Sequence, residues 1–226
     1  MKTHTNNRKI EYAIANHKTL SVSTYTYLPR ERDYIDYVMN RFLLDVGLNS
    51  IGDKLCYCVH EIAGNAKKAN TKRIYFREQG LDINDPSHYE RGMTNFKDVT
   101  TENIGYYLQK QREAGLYIKF HFRRENSHLR ILVRNNVEMT EMERIRIQQK
   151  LVIARTHDNL ADAYSESEDY SEGAGIGIVM LLLMLKNLGF SKNSLDISSA
   201  EGCTDALLVL DLDAYSPAGF IENVSA

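Results

Sequence analysis

Glu61, Asn65 and Lys68 follow one another at i, i+4 and i+7 within Leu55 to Asn70, LCYCVHEIAGNAKKAN. At helical spacing this places a carboxylate, a carboxamide and an ammonium in a row on one face. Asn offers a neutral oxygen ligand for Mg²⁺, Glu takes a proton or orients a water, and Lys brings charge to phosphate oxygens. A solvated helix face carries the same residue types, so the row needs support from elsewhere in the chain. That support lies at Gly173-Ala174-Gly175-Ile176-Gly177-Ile178, followed by VMLLLMLKNLGF. Alternate glycines let a backbone approach a ligand closely, and a helix behind them points its first amides back at the loop, a cradle for phosphate. The spacing is neither that of a dinucleotide fold nor that of a Walker loop. A glycine linker ahead of a core helix is the plain alternative.

The elements that must hold these residues follow from patterning. Residues 1–17 read as a polar, loosely ordered tail. Lys18 to Leu28 alternates and is rich in β-branched and aromatic residues, which predicts a strand closed by Pro29. Ile35, Val38, Phe42 and Leu43 give an amphipathic helix from Arg30 to Val46, and Ser50 or Asp53 caps the next helix. Arg73 to Arg77 reads as a short strand. Residues 79–115 form an insertion, with a polar turn at DINDPSHYERG and a helix from Thr101 to Ala114. Leu116 to Asn135 is a hairpin around Glu125-Asn126-Ser127. Val137 to Glu172 combines a helical apolar stripe with an acidic tail, and SLDISS and DALLVLDL make a second hairpin around Glu201-Gly202-Cys203-Thr204. From 214 the chain reads as a tail. Strands and helices without regular βαβ alternation predict a single α+β domain over 18–213, a mixed sheet covered on one face by helices.

Composition narrows the classes. The chain has 226 residues and a formal net charge of -2, so no overall basic field calls for nucleic acid or an anionic membrane. The longest apolar run, Ile176 to Leu185, is about half the ~20 residues that cross a bilayer. No apolar segment follows positive residues at the start, so a cytoplasmic location is expected. Cys56, Cys58 and Cys203 are sparse and odd in number, which suits reduced thiols. His60 reads as a packed helix histidine, and the other histidines show no ligand spacing.

HEIAGNAKKA resembles the asparagine box of the GHKL ATPases, whose ATP-binding unit is the Bergerat fold, a two-layer α/β sandwich. GAGIGI is similar to the glycine box that closes that family's ATP lid, and the Gly202/Thr204 turn is similar to its last box. The likeness covers about Thr19 to Leu212 in the family's order, with the lid at 137–175. The layout looks most like the anti-sigma-factor serine kinases, while NAKKA is nearer to sensor histidine kinases. The resemblance implies ATP and Mg²⁺ as ligands. Asn65 would hold the metal, Glu61 would act as base, and Lys68 would contact phosphate. Gly173, Gly175 and Gly177 would give amides to the phosphates, Asn135 would meet the adenine amino group, and Thr204 would help to hold the base. One departure stands out. Where the family has Asp-x-Gly-x-Gly this chain reads Asn135-Asn136-Val137-Glu138-Met139, so a charged acceptor becomes a neutral one and both glycines are replaced. The expected function is phosphoryl transfer to a protein partner in signalling. The alternatives are a module that kept the scaffold and lost catalysis, and a simple ATPase.

Overall fold

A computed structural model describes residues 2–166 and 176–215. Among them the elements run α1 (Lys2–Ala15), β1 (Leu20–Thr24), α2 (Pro29–Asp45), a 3-10 turn (Asn49–Ile51) and α3 (Gly52–Glu78). There follow α4 (Pro86–Glu102), α5 (Ile104–Glu113), β2 (Ile118–Glu125), β3 (His128–Asn135) and α6 (Glu141–Thr156). The chain continues through α7 (Leu160–Glu166), α8 (Ile176–Asn187), β4 (Leu195–Ala200) and β5 (Cys203–Asp211).

The architecture is α+β. The five strands form one open sheet in the order β1-β2-β3-β5-β4. Every pairing is antiparallel, which corrects the expected mixed sheet. Strand alternation gives the sheet two unlike faces. Phe120, Phe122, Leu129, Ile131, Leu208 and Leu210 point inward and are fully buried against α1, α2, α3 and α8. Arg134 and Asp205 on the other face pair through two hydrogen bonds of 2.6 Å. Both hairpins turn in two residues. In the second, Glu201 and Gly202 both take positive φ, 54° and 74°, the primed turn that matches the twist of antiparallel strands.

Three further expectations are corrected. Residues 2–15, expected to be loosely ordered, form α1, because Ile10, Ala13 and Ile14 share a face and bury it in the core. Arg73 to Arg77 is not a strand: α3 runs unbroken through it, and Ile74, Tyr75 and Phe76 are buried in a second cluster with Tyr89, Phe96 and Tyr107 from the insertion. The insertion holds two helices rather than one. The DINDPSHYERG stretch starts α4, since Asp85 accepts from the Ser87 and His88 amides, both at 2.9 Å, and Pro86 takes the first helical position. Gly92 lets α4 close on α3, where a Cβ would stand 2.5 Å from the Phe76 ring. The tail expected from 214 begins packed, with Tyr215 stacked on Phe190 at 4.9 Å. No helix among the described residues is long and apolar enough to cross a membrane.

Candidate functional site

Helix α3 crosses the sheet and carries the Glu61-Asn65-Lys68 row along it. With one continuous helix the row extends to Lys72 and Arg73, which a break before Arg73 had hidden. Beside it lies a cavity of about 160 Å³. Asn65, Lys68, Lys72 and Arg73 of α3 line one wall, and Glu143, Arg146, Ile147 and Lys150 of α6 face them. The floor is sheet: Val133 and Asn135 of β3, Leu195 and Ile197 of β4, and Thr204 and Ala206 of β5. Gly177 and Ile178 close one side with the first turn of α8, and Tyr89 reaches in from α4.

Of the residues singled out in the sequence, Asn65, Lys68 and Gly177 by their chemistry and Asn135 and Thr204 by the resemblance, all five meet around one space. Glu61 is not part of its lining, but its carboxylate lies against Gly177, where a Cβ would sit 2.8 Å from Glu61 Oε2. Among the described residues Gly177 lies in α8 rather than in a loop. Gly173 and Gly175 lie outside the described residues, as does the end of the expected lid.

The stretch after β3 is tightly held. Asn135 and Thr204 are cross-strand partners. Thr204 Oγ1 donates to the Val137 carbonyl at 2.8 Å, the Met139 amide donates to Ser199 Oγ at 2.9 Å, and Asn136 Oδ1 accepts from the Tyr117 amide at 2.7 Å. Val137 turns away and packs in the second cluster with Ile74 and Tyr75, while Met139 takes its place in the wall. Side chains stand where the glycines were expected, yet the space between α3, α6 and the sheet stays open.

Five cations and one carboxylate line the cavity. Glu143 sits 3.0 Å from Lys72 Nζ and accepts from both Arg73 terminal nitrogens, at 3.1 and 2.6 Å. Burial alone would push its carboxyl up. The Arg73 hydrogen bonds and the charges of Lys72 and Arg73 outweigh burial and hold it at about 2. Tyr89 Oη accepts from Lys72 Nζ at 2.8 Å and from Arg146 at 3.1 Å, which ties the insertion to the same cluster. Arg146 and Lys150 were passed over in the sequence: their i, i+4 spacing puts both on one face of α6, but nothing in the sequence says which wall that face meets.

His60 is a packed helix residue, as its position suggested. Its Nδ1 meets the Tyr27 hydroxyl, and its Nε2 lies 2.6 Å from Asp36 Oδ1, an oxygen with no well-aligned hydrogen bond. Cys56, Cys58 and Cys203 are free thiols.

No family model matches the chain, and no solved structure matches it. It is similar to a protein of Treponema pallidum (strain Nichols) described as an uncharacterized protein, with 44% identity over 203 residues. The matched region is 89% of this chain and 39% of that protein, so the chain spans about two fifths of its relative's length.

Proposed function

We propose that the cavity binds ATP with Mg²⁺ in the manner of a GHKL ATPase, on a Bergerat-type sandwich, and that the bound nucleotide serves phosphoryl transfer to a protein partner in signalling. The observation that carries this reading is convergence. Residues of α3 and α8 picked out by their chemistry, and Asn135 of β3 and Thr204 of β5 picked out by the resemblance, are far apart in sequence and line one cavity that also gathers five cations.

The donor set fits the ligands. Asn65, exposed on α3, offers its carbonyl oxygen to Mg²⁺. Lys68 and the α8 amides meet phosphate oxygens, and the apolar sheet floor takes the base between Ile62 and Ile197. Glu61 stands beside Gly177 at the phosphate end, where it orients the attacking group. Mg²⁺ supplies charge neutralisation, and the protein's share of catalysis is positioning. At about 160 Å³ the cavity is smaller than the roughly 300–1,000 Å³ of common ligand sites, so it must widen to admit a triphosphate.

A second reading is favoured by one observation. Glu143 already pairs with both Lys72 and Arg73, as suits an interaction module that has given up nucleotide. Thermal unfolding separates the two, because a ligand bound only by the folded state raises the midpoint. ATP with Mg²⁺ raises it in a concentration-dependent way under the first reading, and inorganic phosphate raises it far less. An unchanged midpoint at saturating ATP contradicts that reading and leaves the module.

A further inference from the structure

The amide that stands where the family has an aspartate is not free to choose its orientation. A carboxamide is ambiguous: turned one way it presents a donor, turned the other an acceptor, and only its neighbours decide. Here the neighbours form a relay that begins at a group with no ambiguity. The Tyr117 backbone carbonyl can only accept, so the atom of Asn70 that faces it at 3.2 Å is Nδ2. Asn70 is fully buried on α3, and its Oδ1 is thereby turned to Asn135. The atom of Asn135 that faces Asn70 Oδ1, again at 3.2 Å, must then be Nδ2. The Asn135 carbonyl oxygen is left over, and among the described residues it accepts no hydrogen bond. Asn135 lines the cavity. Beside it, Thr204 spends its one hydroxyl proton on the Val137 carbonyl, so it too offers only lone pairs.

We propose that Asn70 is a positioning residue that locks Asn135 as an acceptor, so that this end of the cavity selects a purine whose edge donates an amino group over one that presents a carbonyl. The inference rests on the nucleotide reading above. A mismatched base would set two acceptors against each other in a buried place, which costs more than a missing bond. An aspartate would give the same selectivity without help, since neither of its oxygens donates when ionised. The asparagine gives it only through Asn70.

The experiment compares ATP with ITP, which differ at the purine 6-position, by competition against a fluorescent ATP analogue. Wild type favours ATP by about tenfold or more. Asn70→Ala frees Asn135 to turn and brings the two affinities within about threefold. The double variant Asn70→Ala/Asn135→Asp regains the preference, because a carboxylate needs no orientation; a merely structural role for Asn70 would not be rescued in this way. If Asn70→Ala does not fold, Asn70→Leu, which fills the space without polar atoms, replaces it in both comparisons. An unchanged ATP to ITP ratio in the single variant, or a double variant that stays indifferent, overturns the proposal. Wild type that binds neither nucleotide overturns the nucleotide reading itself, a result distinct from loss of discrimination.

Discussion

Glu143 on α6 and Arg73 on α3 close the candidate site like a clasp, joined by hydrogen bonds of 3.1 and 2.6 Å across the cavity. Thr140 caps α6 three residues earlier and bonds reciprocally with Glu143, so the carboxylate that holds the clasp also starts the helix.

Breaking the clasp takes the carboxylate partner from buried Lys72 and partly buried Arg73. Glu143→Gln is expected to lower stability by about 3 kcal/mol, a fall of roughly 6–12 °C in melting midpoint for a chain of this size. The loss depends on pH with a definite sign. The carboxyl is held at about 2 in the folded protein against an ordinary value of 4.5, so its stabilisation is complete above that ordinary value and disappears as pH falls towards 2. Urea melts of wild type and variant should therefore differ by a constant amount near neutrality and converge in acid. A gap that persists at pH 2 contradicts the assignment.

The same region shows what the sequence could and could not disclose. The hairpins were legible because alternation and turn residues are local signals, and β2, β3, β4 and β5 fall where the patterns put them. Asn65, Lys68 and Gly177 were legible as chemistry, and Asn135 and Thr204 through the resemblance. Arg73 to Arg77 was not. Ile74, Tyr75 and Phe76 are buried on adjoining faces of α3 because α4 and α5 cover a side that is ordinarily solvated, and a helix buried on two sides loses its 3.6 period. That one misreading removed Lys72 and Arg73 from the row and with them the partner of Glu143. Asn70 was passed over for a different reason: its part depends on Tyr117 and Asn135, which are distant in sequence.

Gly177 tests whether Glu61 works at the site. A methyl added there meets only the end of a flexible side chain, Glu61 Oε2, so Gly177→Ala should fold with little change in melting midpoint while displacing that carboxylate. If Glu61 orients the attacking group, ATP turnover should fall by about tenfold to a hundredfold or more, with nucleotide affinity changed far less. Equal turnover in wild type and variant would remove Glu61 from the chemistry.

The thiols divide by environment. Burial pushes Cys56 and Cys58 up to about 12, with nearby Asp36 adding to the effect at Cys56 and Glu61 at Cys58. Neither should react with iodoacetamide near neutral pH in the folded protein, while the partly exposed Cys203 should. Mass spectrometry is expected to find label on Cys203 alone before denaturation and on all three thiols after it. Early labelling of Cys56 or Cys58 would show that the packing between α2, α3 and α8 opens readily.

The central claim is that the cavity beside α3 takes ATP with Mg²⁺, and calorimetric titration of ATP with and without the metal tests it most directly, with Asn65→Ala as the control. Saturable binding that needs Mg²⁺ and weakens by about tenfold or more in the variant is the expected result. No heat at millimolar ATP from a folded protein would contradict the account.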